Sequence, residues 1–203
     1  EVLTSCARDY VKRFENDYPA GSSFLNGVLV RRFTIDHLRS DDLTFSNLDR
    51  KVVARQASAA EEQEWLREIG PYCEGLMNYL SEHRDDFTLC FFMTYLYATT
   101  TLALPLVKDK AVLAPNAHDE EPMRAVFFDR FFSLPKALIL HTPEEMEFLQ
   151  TRTQGLMAPP YLIGGVGFDR PPVRDPRYFR GRFGLSSSYL LYVGRIQPEK
   201  GCA

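Results

Sequence analysis

No run of the 203-residue sequence approaches the roughly 20 consecutive apolar residues that a membrane span needs. Its densest apolar clusters, FFMTYLY at 91–97 and FFDRFF at 127–132, are short and interrupted. They read as buried strand and helix faces, so any membrane contact is at most peripheral. A basic excess is missing too. The 24 Lys and Arg against 27 Asp and Glu leave a net charge of −3, which offers no broad cationic surface to nucleic acid. Cysteine is sparse: Cys6, Cys73, Cys90 and Cys202 are widely scattered and form no C-x-x-C pair. That pattern suits reduced thiols in a cytoplasmic protein better than a disulfide framework or a zinc site. No G-x-x-x-x-G-K-[ST] loop, no G-x-S-x-G elbow and no metal-ligand cluster of persuasive spacing is found, so no metal site is expected. A targeting segment is not seen. The chain opens on an apolar run without an initiator Met, so that absence excludes nothing.

What remains is ordinary globular material, 45% hydrophobic and 25% charged, enough for one well-buried domain and a small piece of another. EVLTSCA (1–7) reads as a buried strand. NGVLVRRF (26–33) reads as a second, opening on an Asn-Gly turn signal, with a polar loop carrying Tyr18, Pro19 and Gly21 between them. Residues 34–57 suggest helix only in their second half. From Ser58, a capping box with Glu61 and an apolar stripe through Leu66, Ile69, Cys73, Leu76 and Leu80 predict a helix to about residue 84, kinked or split at Pro71. DFTLCFFM (86–93) reads as an apolar run rich in strand formers, KAVLAPN (110–116) and KALIL (136–140) as buried strands, and PYLIGGVGF (160–168) as a short strand and a glycine-rich turn. The stretch to Val107, EEPMRAVFFDRFF (120–132) and HTPEEMEFLQTR (141–152) read as helices between them. The last carries Thr142 at the N-cap, Pro143 at N1 and Glu145 at N3.

Continuous apolar strands alternating with amphipathic helices predict an α/β fold, a Rossmann-like doubly wound parallel sheet covered on both faces. Composition turns rich in Pro, Arg, Gly and Ser at 170–188, and YLLYVG (189–194) reads as a new strand. The expected organisation is a first domain over 1–170, a linker over 171–187 with a short helix near 176–182, and the start of a second domain over 188–203.

Ligands of open α/β sheets sit beyond the carboxyl ends of the strands, which directs attention to His118, His141 and the segment YVGRIQPEKG. In that segment Gly194 would let backbone approach a ligand, and Arg195 and Lys200 are cations five residues apart, suited to clamping a diphosphate. A solvated surface turn is the competing reading. His118 is balanced between a structural hydrogen bonder and a functional group, and Thr142 explains much of the local structure at His141. His37 and His83 lie in polar surroundings with no specific role expected.

LLYVGRIQPEKG resembles the start of the donor-binding domain in group 1 glycosyltransferases of the GT-B fold, where a YVGR…EKG segment is characteristic. PNAHDEE resembles the family's strand-end His segment, LILHTPEEMEFL its S-x-x-E helix start with Thr142 for Ser, and IGGVGFD its P-N-G-V-D turn with Gly164 and Gly165 for Pro-Asn. The four segments occur in the family's order. The likeness implies the N-terminal, acceptor-side half of a GT-B fold and the first strand of the donor domain. The family's first glycine-rich loop would precede Glu1, and its paired-glutamate segment would follow Ala203.

The activity implied is retaining, metal-independent transfer of a hexosyl-type sugar from a nucleotide diphosphate-sugar to a sugar or lipid-linked acceptor. No cofactor is implied beyond that donor substrate. Arg195 and Lys200, with Gly194, would hold the donor diphosphate, and His118 would be catalytic, facing the acceptor and the reacting sugar. Two other readings stand beside it: a non-catalytic Rossmann-like binding module, and a GT-B nucleotide-sugar epimerase.

Overall fold

The computed structural model describes residues 1–8, 14–40, 42–194, 196 and 201. They form two compact units, Glu1–Val166 and Gly167–Ala203.

The first unit is mixed α/β. Its larger sheet is four-stranded and wholly parallel, in the order β4 (Cys90–Met93), β5 (Ala111–Ala114), β6 (Ala137–Leu140) and β7 (Tyr161–Ile163). Each strand is a short apolar run, and helices flank the sheet, an arrangement compatible with a Rossmann-like layer. A second sheet holds β1 (Val2–Ser5), β3 (Val28–Phe33) and β2 (Gly21–Leu25), with β1 parallel and β2 antiparallel to β3. Residues 21–25, expected as part of the polar loop, form a strand instead. GSSFL is polar at its start and exposed throughout, so it carries no burial signal. Its strand state comes from the Asn26-Gly27 turn, whose positive φ angles of 50° and 80° close a two-residue hairpin.

The helices follow their local chemistry. α1 spans Asp42–Val53. α2, Ala59–Ile69, starts at the expected capping box: Ser58 Oγ accepts from the Glu61 amide, and the Glu61 carboxylate accepts from the Ser58 amide at 2.8 Å. Gly70 and Pro71 stop it, and α3 runs separately over Glu74–Glu82. The helix expected up to Val107 is reduced to one turn, α4 (Ala98–Thr101), and a 3₁₀ turn at Leu104–Val107 that carries Pro105 in its first turn. A further 3₁₀ turn, Glu121–Arg124, leads into the one-turn helix α5 (Phe128–Phe131), and α6 covers Pro143–Arg152.

The main core lies on β5 and β6 under α2, α5 and α6. Trp65, Leu66, Leu104, Leu113, Phe128, Phe132 and Leu140 are fully buried, each large side chain contributing roughly 1.5–3 kcal/mol of transfer free energy. Phe128 is its hub, with ring centroids 4.9 Å from Tyr95 and 6.3 Å from Trp65. A smaller core joins Ile35, Cys73, Leu76, Leu80 and Val107, and Phe92 packs against both. FFDRFF is therefore core, as its composition suggests. The cluster at 91–97 is only partly so: Phe92 and Tyr95 pack inward, but Phe91 and Met93 are 67% and 69% exposed.

In the second unit, α7 spans Pro176–Phe183, capped by Asp175, whose carboxylate accepts from the Arg177 amide at 2.9 Å, and closed by Gly184 in the left-handed conformation. The strand expected at 189–194 is not formed. Tyr189, Leu190, Leu191, Tyr192 and Val193 are exposed and irregular. A strand is stable only when its edge groups pair, and among the described residues of this unit there is no other strand to pair with.

Candidate functional site at the strand carboxyl ends

The loops after β4, β5, β6 and β7 are joined by a few polar contacts, and Glu145 is the centre of them. It sits at N3 of α6, is buried to 6% exposure, and its own amide donates to Thr142 Oγ1 at 3.1 Å. One carboxylate oxygen accepts from the Ala117 amide at 2.6 Å, and the other from the His141 amide at 2.7 Å. A single side chain thus satisfies two backbone donors that leave β5 and β6. The sequence marks Glu145 as a capping residue. Its bridge between two strand ends depends on the sheet bringing residues 117 and 141 together.

His118 follows directly. Its side chain is 69% exposed. Nδ1 lies 3.2 Å from the Asn116 carbonyl, and Nε2 lies 3.5 Å from Glu120 Oε2. A carbonyl only accepts, so the Nδ1 contact is a hydrogen bond when Nδ1 carries the proton, and the Nε2–Glu120 contact is an ion pair only when Nε2 is protonated as well. The other Glu120 oxygen accepts from the Tyr95 hydroxyl at 2.5 Å. Burial raises the Tyr95 phenol well above its ordinary range, and the hydrogen bond to Glu120 adds to the rise. Tyr95, Glu120 and His118 therefore form a short polar chain running from the core to solvent. Asn116 is held at a φ of 54° where the chain turns away from β5. An exposed imidazole backed by a carboxylate can bind or accept a proton from a hydroxyl.

His141 is turned elsewhere: its Nδ1 lies 3.1 Å from the carbonyl of Gly165, whose φ of 66° belongs to the left-handed region. That contact ties the turn after β7 to the end of β6, so a local structural role accounts for His141. A cavity of about 280 Å³ lies at the carboxyl end of β1, lined by Thr4, Ser5, Arg8, Phe14, Pro71 and Tyr97. Arg8, where the polar loop after β1 begins, lines this cavity, and His118 does not.

Gly194 is exposed, and a Cβ added there would sit 2.8 Å from the Tyr192 hydroxyl, the movable end of a side chain. Arg195 and Lys200 lie outside the described residues.

One cluster was not legible in the sequence. Donor atoms of His37, Glu64 and Glu68 lie within 4.8 Å of one another, a grouping of the kind that can hold a metal ion. His37 reaches it from the segment after β3, and the two glutamates share a face of α2 at i, i+4 spacing. The contacts favour a structural tie. Glu68 Oε1 pairs with His37 Nε2 at 2.9 Å, and Oε2 accepts from the Ser40 amide at 2.6 Å. Arg67 stands 3.5 Å from Glu64, and Arg39 donates to the Glu68 and Ile69 carbonyls. Burial pushes the Glu68 carboxyl up, but the bonds from Ser40 and His37 outweigh it and leave the group below its usual range.

Comparison with protein-family models gives no match, and comparisons with curated proteins and with solved structures give no significant match.

Proposed function

We propose that this chain is the acceptor-side half, with the linker and the first part of the donor side, of a retaining GT-B glycosyltransferase. The enzyme would move a sugar from a nucleotide diphosphate-sugar to a sugar or lipid-linked acceptor. The observation that carries the reading is the ordered set of four segments, ending in YVGRIQPEKG, on a chain whose described core is a parallel sheet flanked by helices. Two of those segments, PNAHDEE and HTPEE, follow β5 and β6, at the carboxyl ends where ligands of open sheets bind. The doubly wound arrangement is part of the same proposal.

The division of labour follows from charge. Arg195 and Lys200 supply positive charge to a leaving diphosphate on which negative charge accumulates, and preorganised cations aimed at a developing charge lower a barrier effectively. His118, exposed and backed by Glu120, orients the acceptor hydroxyl or the reacting sugar. In the full-length enzyme, His118→Ala lowers turnover and leaves nucleotide affinity nearly unchanged. Calorimetric nucleotide binding beside steady-state kinetics makes the test. Intact turnover in a folded His118→Ala variant removes the catalytic role from His118.

A further inference from the structure

The residues behind His118 form a support that runs back into the core. Thr94 follows β4 with a φ of 62°, a left-handed conformation that a β-branched residue rarely adopts. Two backbone bonds hold the chain in that turn against the exit of β5. The Thr94 amide donates to the Ala114 carbonyl at 2.9 Å, and the Tyr95 amide to the Pro115 carbonyl at 3.0 Å.

The turn delivers Tyr95, which is 2% exposed, to the main core. Its ring stands edge-on to Phe128 at 4.9 Å and tilted against Phe132 at 6.0 Å, so packing fixes the ring and its hydroxyl is the one polar end. Burial, with Glu120 itself, raises the phenol above its ordinary range, so toward a carboxylate the hydroxyl remains a donor.

Glu120 stands between that hydroxyl and His118. Oε1 accepts from the Tyr95 hydroxyl at 2.5 Å, and Oε2 lies 3.5 Å from His118 Nε2. Exposure rises along the series, from the buried phenol through a carboxylate 31% exposed to the open imidazole. Among the described residues, Glu120 is the only carboxylate within ion-pair reach of His118. The Asn116 carbonyl faces the other ring nitrogen. A buried hydroxyl needs a partner, which explains the first of these contacts. It does not explain why the second oxygen of Glu120 turns to His118.

We infer that Glu120 and Tyr95 are positioning residues of the candidate site: Tyr95 sets the direction of the Glu120 carboxylate, and Glu120 sets the orientation of the His118 imidazole. An exposed imidazole without such a partner samples several rotamers, and the hydrogen bond at one ring nitrogen governs what the other presents. Holding a contact group in one geometry is itself a catalytic contribution, because a misplacement of about 1 Å can cost about a hundredfold in rate. The part that the pair plays in turnover rests on the glycosyl-transfer reading, whereas the orientation of His118 does not.

The test has two arms. In the first, imidazole ¹⁵N spectra of the 203-residue chain are compared with those of Tyr95→Phe and Glu120→Gln. Tyr95→Phe keeps the ring in the core and removes the hydroxyl, and Glu120→Gln keeps the shape and removes the charge. The His118 resonances should move in both variants. Those of His37, His83 and His141, which meet other partners, should stay in place and certify the fold. Unmoved His118 resonances in either folded variant overturn the inference.

The second arm measures turnover by the protein at the length its gene encodes. Tyr95→Phe should lower the rate at saturating donor by roughly ten- to hundredfold and leave the donor KM nearly unchanged. The loss should vanish when His118→Ala is already present, because groups that act as one unit are not additive. A loss of equal size with and without His118, or a rate within about twofold of the parent, overturns the role in turnover. A parent without transfer activity whose His118 resonances move as expected supports the positioning and counts against glycosyl transfer alone.

Discussion

Replacing Glu145 with Ala removes the side chain that holds two strand ends together. Its carboxylate accepts from the Ala117 and His141 amides at 2.6 and 2.7 Å, and the residue is only 6% exposed. Hydrogen bonds to a charged group contribute about 1.5–3 kcal/mol each, and a buried donor left unpaired costs about 1–3 kcal/mol. Water admitted to the truncated site recovers part of that, so the net loss is about 3–4 kcal/mol. At about 2–4 °C per kcal/mol for a chain of this size, Tm falls by about 10 °C. Glu145→Gln should fall between the parent and Ala, because its carbonyl can still take one of the two amides while its NH₂ faces the other. The assay is thermal unfolding followed by circular dichroism and by fluorescence of Trp65, the single tryptophan, which is fully buried in the same core. Hydrogen exchange at Ala117 and His141 reads the local effect. A Glu145→Ala variant that melts within about 2 °C of the parent, or keeps both amides protected, refutes the bridge as an energetic element.

Other consequences are as specific. Arg152 donates to the Met123 and Ala125 carbonyls at 2.8 and 3.0 Å and to Asp129 at 2.6 Å, so Arg152→Met should cost about 2–3 kcal/mol in urea unfolding. Hydrogen bonding to Lys51 and to Ser58 holds the Glu61 carboxyl down at about 2. A depressed carboxyl contributes stability above its unfolded value, near 4.5, that is lost as pH falls toward 2. Glu61→Gln should therefore flatten the dependence of Tm on pH in that window and leave its slope near neutrality unchanged. Zinc added to the purified chain should leave Tm unchanged, since both Glu68 oxygens are engaged by His37 and Ser40. A rise in Tm that is lost in Glu64→Gln would assign a metal to that cluster.

Features set by local chemistry were readable in the sequence. The Ser58–Glu61 box and the Thr142–Pro143–Glu145 start announce α2 and α6 because the atoms that cap a helix lie within four residues of each other. β5 and β6 announce themselves as apolar runs because the core packs on them, and β4 does so although Phe91 and Met93 on one of its faces are exposed. What escaped depends on partners distant in the chain. β2 is a strand only because β3 lies beside it, with Arg31 and Arg32 donating to Ser22 and Ser23 across the pair. YLLYV has strand composition but no partner strand among the described residues of its unit, and composition alone does not order it. The candidate site divides the same way. His118 could be placed at a strand end from its neighbours, but the Glu120 and Tyr95 contacts behind it, and the meeting of His37 with α2, are products of the fold.

The proposed glycosyl transfer is tested most directly by incubating the protein, at the length its gene encodes, with nucleotide diphosphate-sugars and candidate acceptors, and following nucleoside diphosphate release together with acceptor mass. Acceptor-dependent release is expected, with one sugar added per diphosphate freed and the donor's anomeric configuration retained. Arg195→Ala and Lys200→Ala should each lower the rate at saturating donor by roughly a hundred- to thousandfold, as removal of one preorganised charge-stabilising donor does. Conversion of the donor into another nucleotide-sugar without an acceptor, or near-normal turnover in both folded variants, would contradict the account.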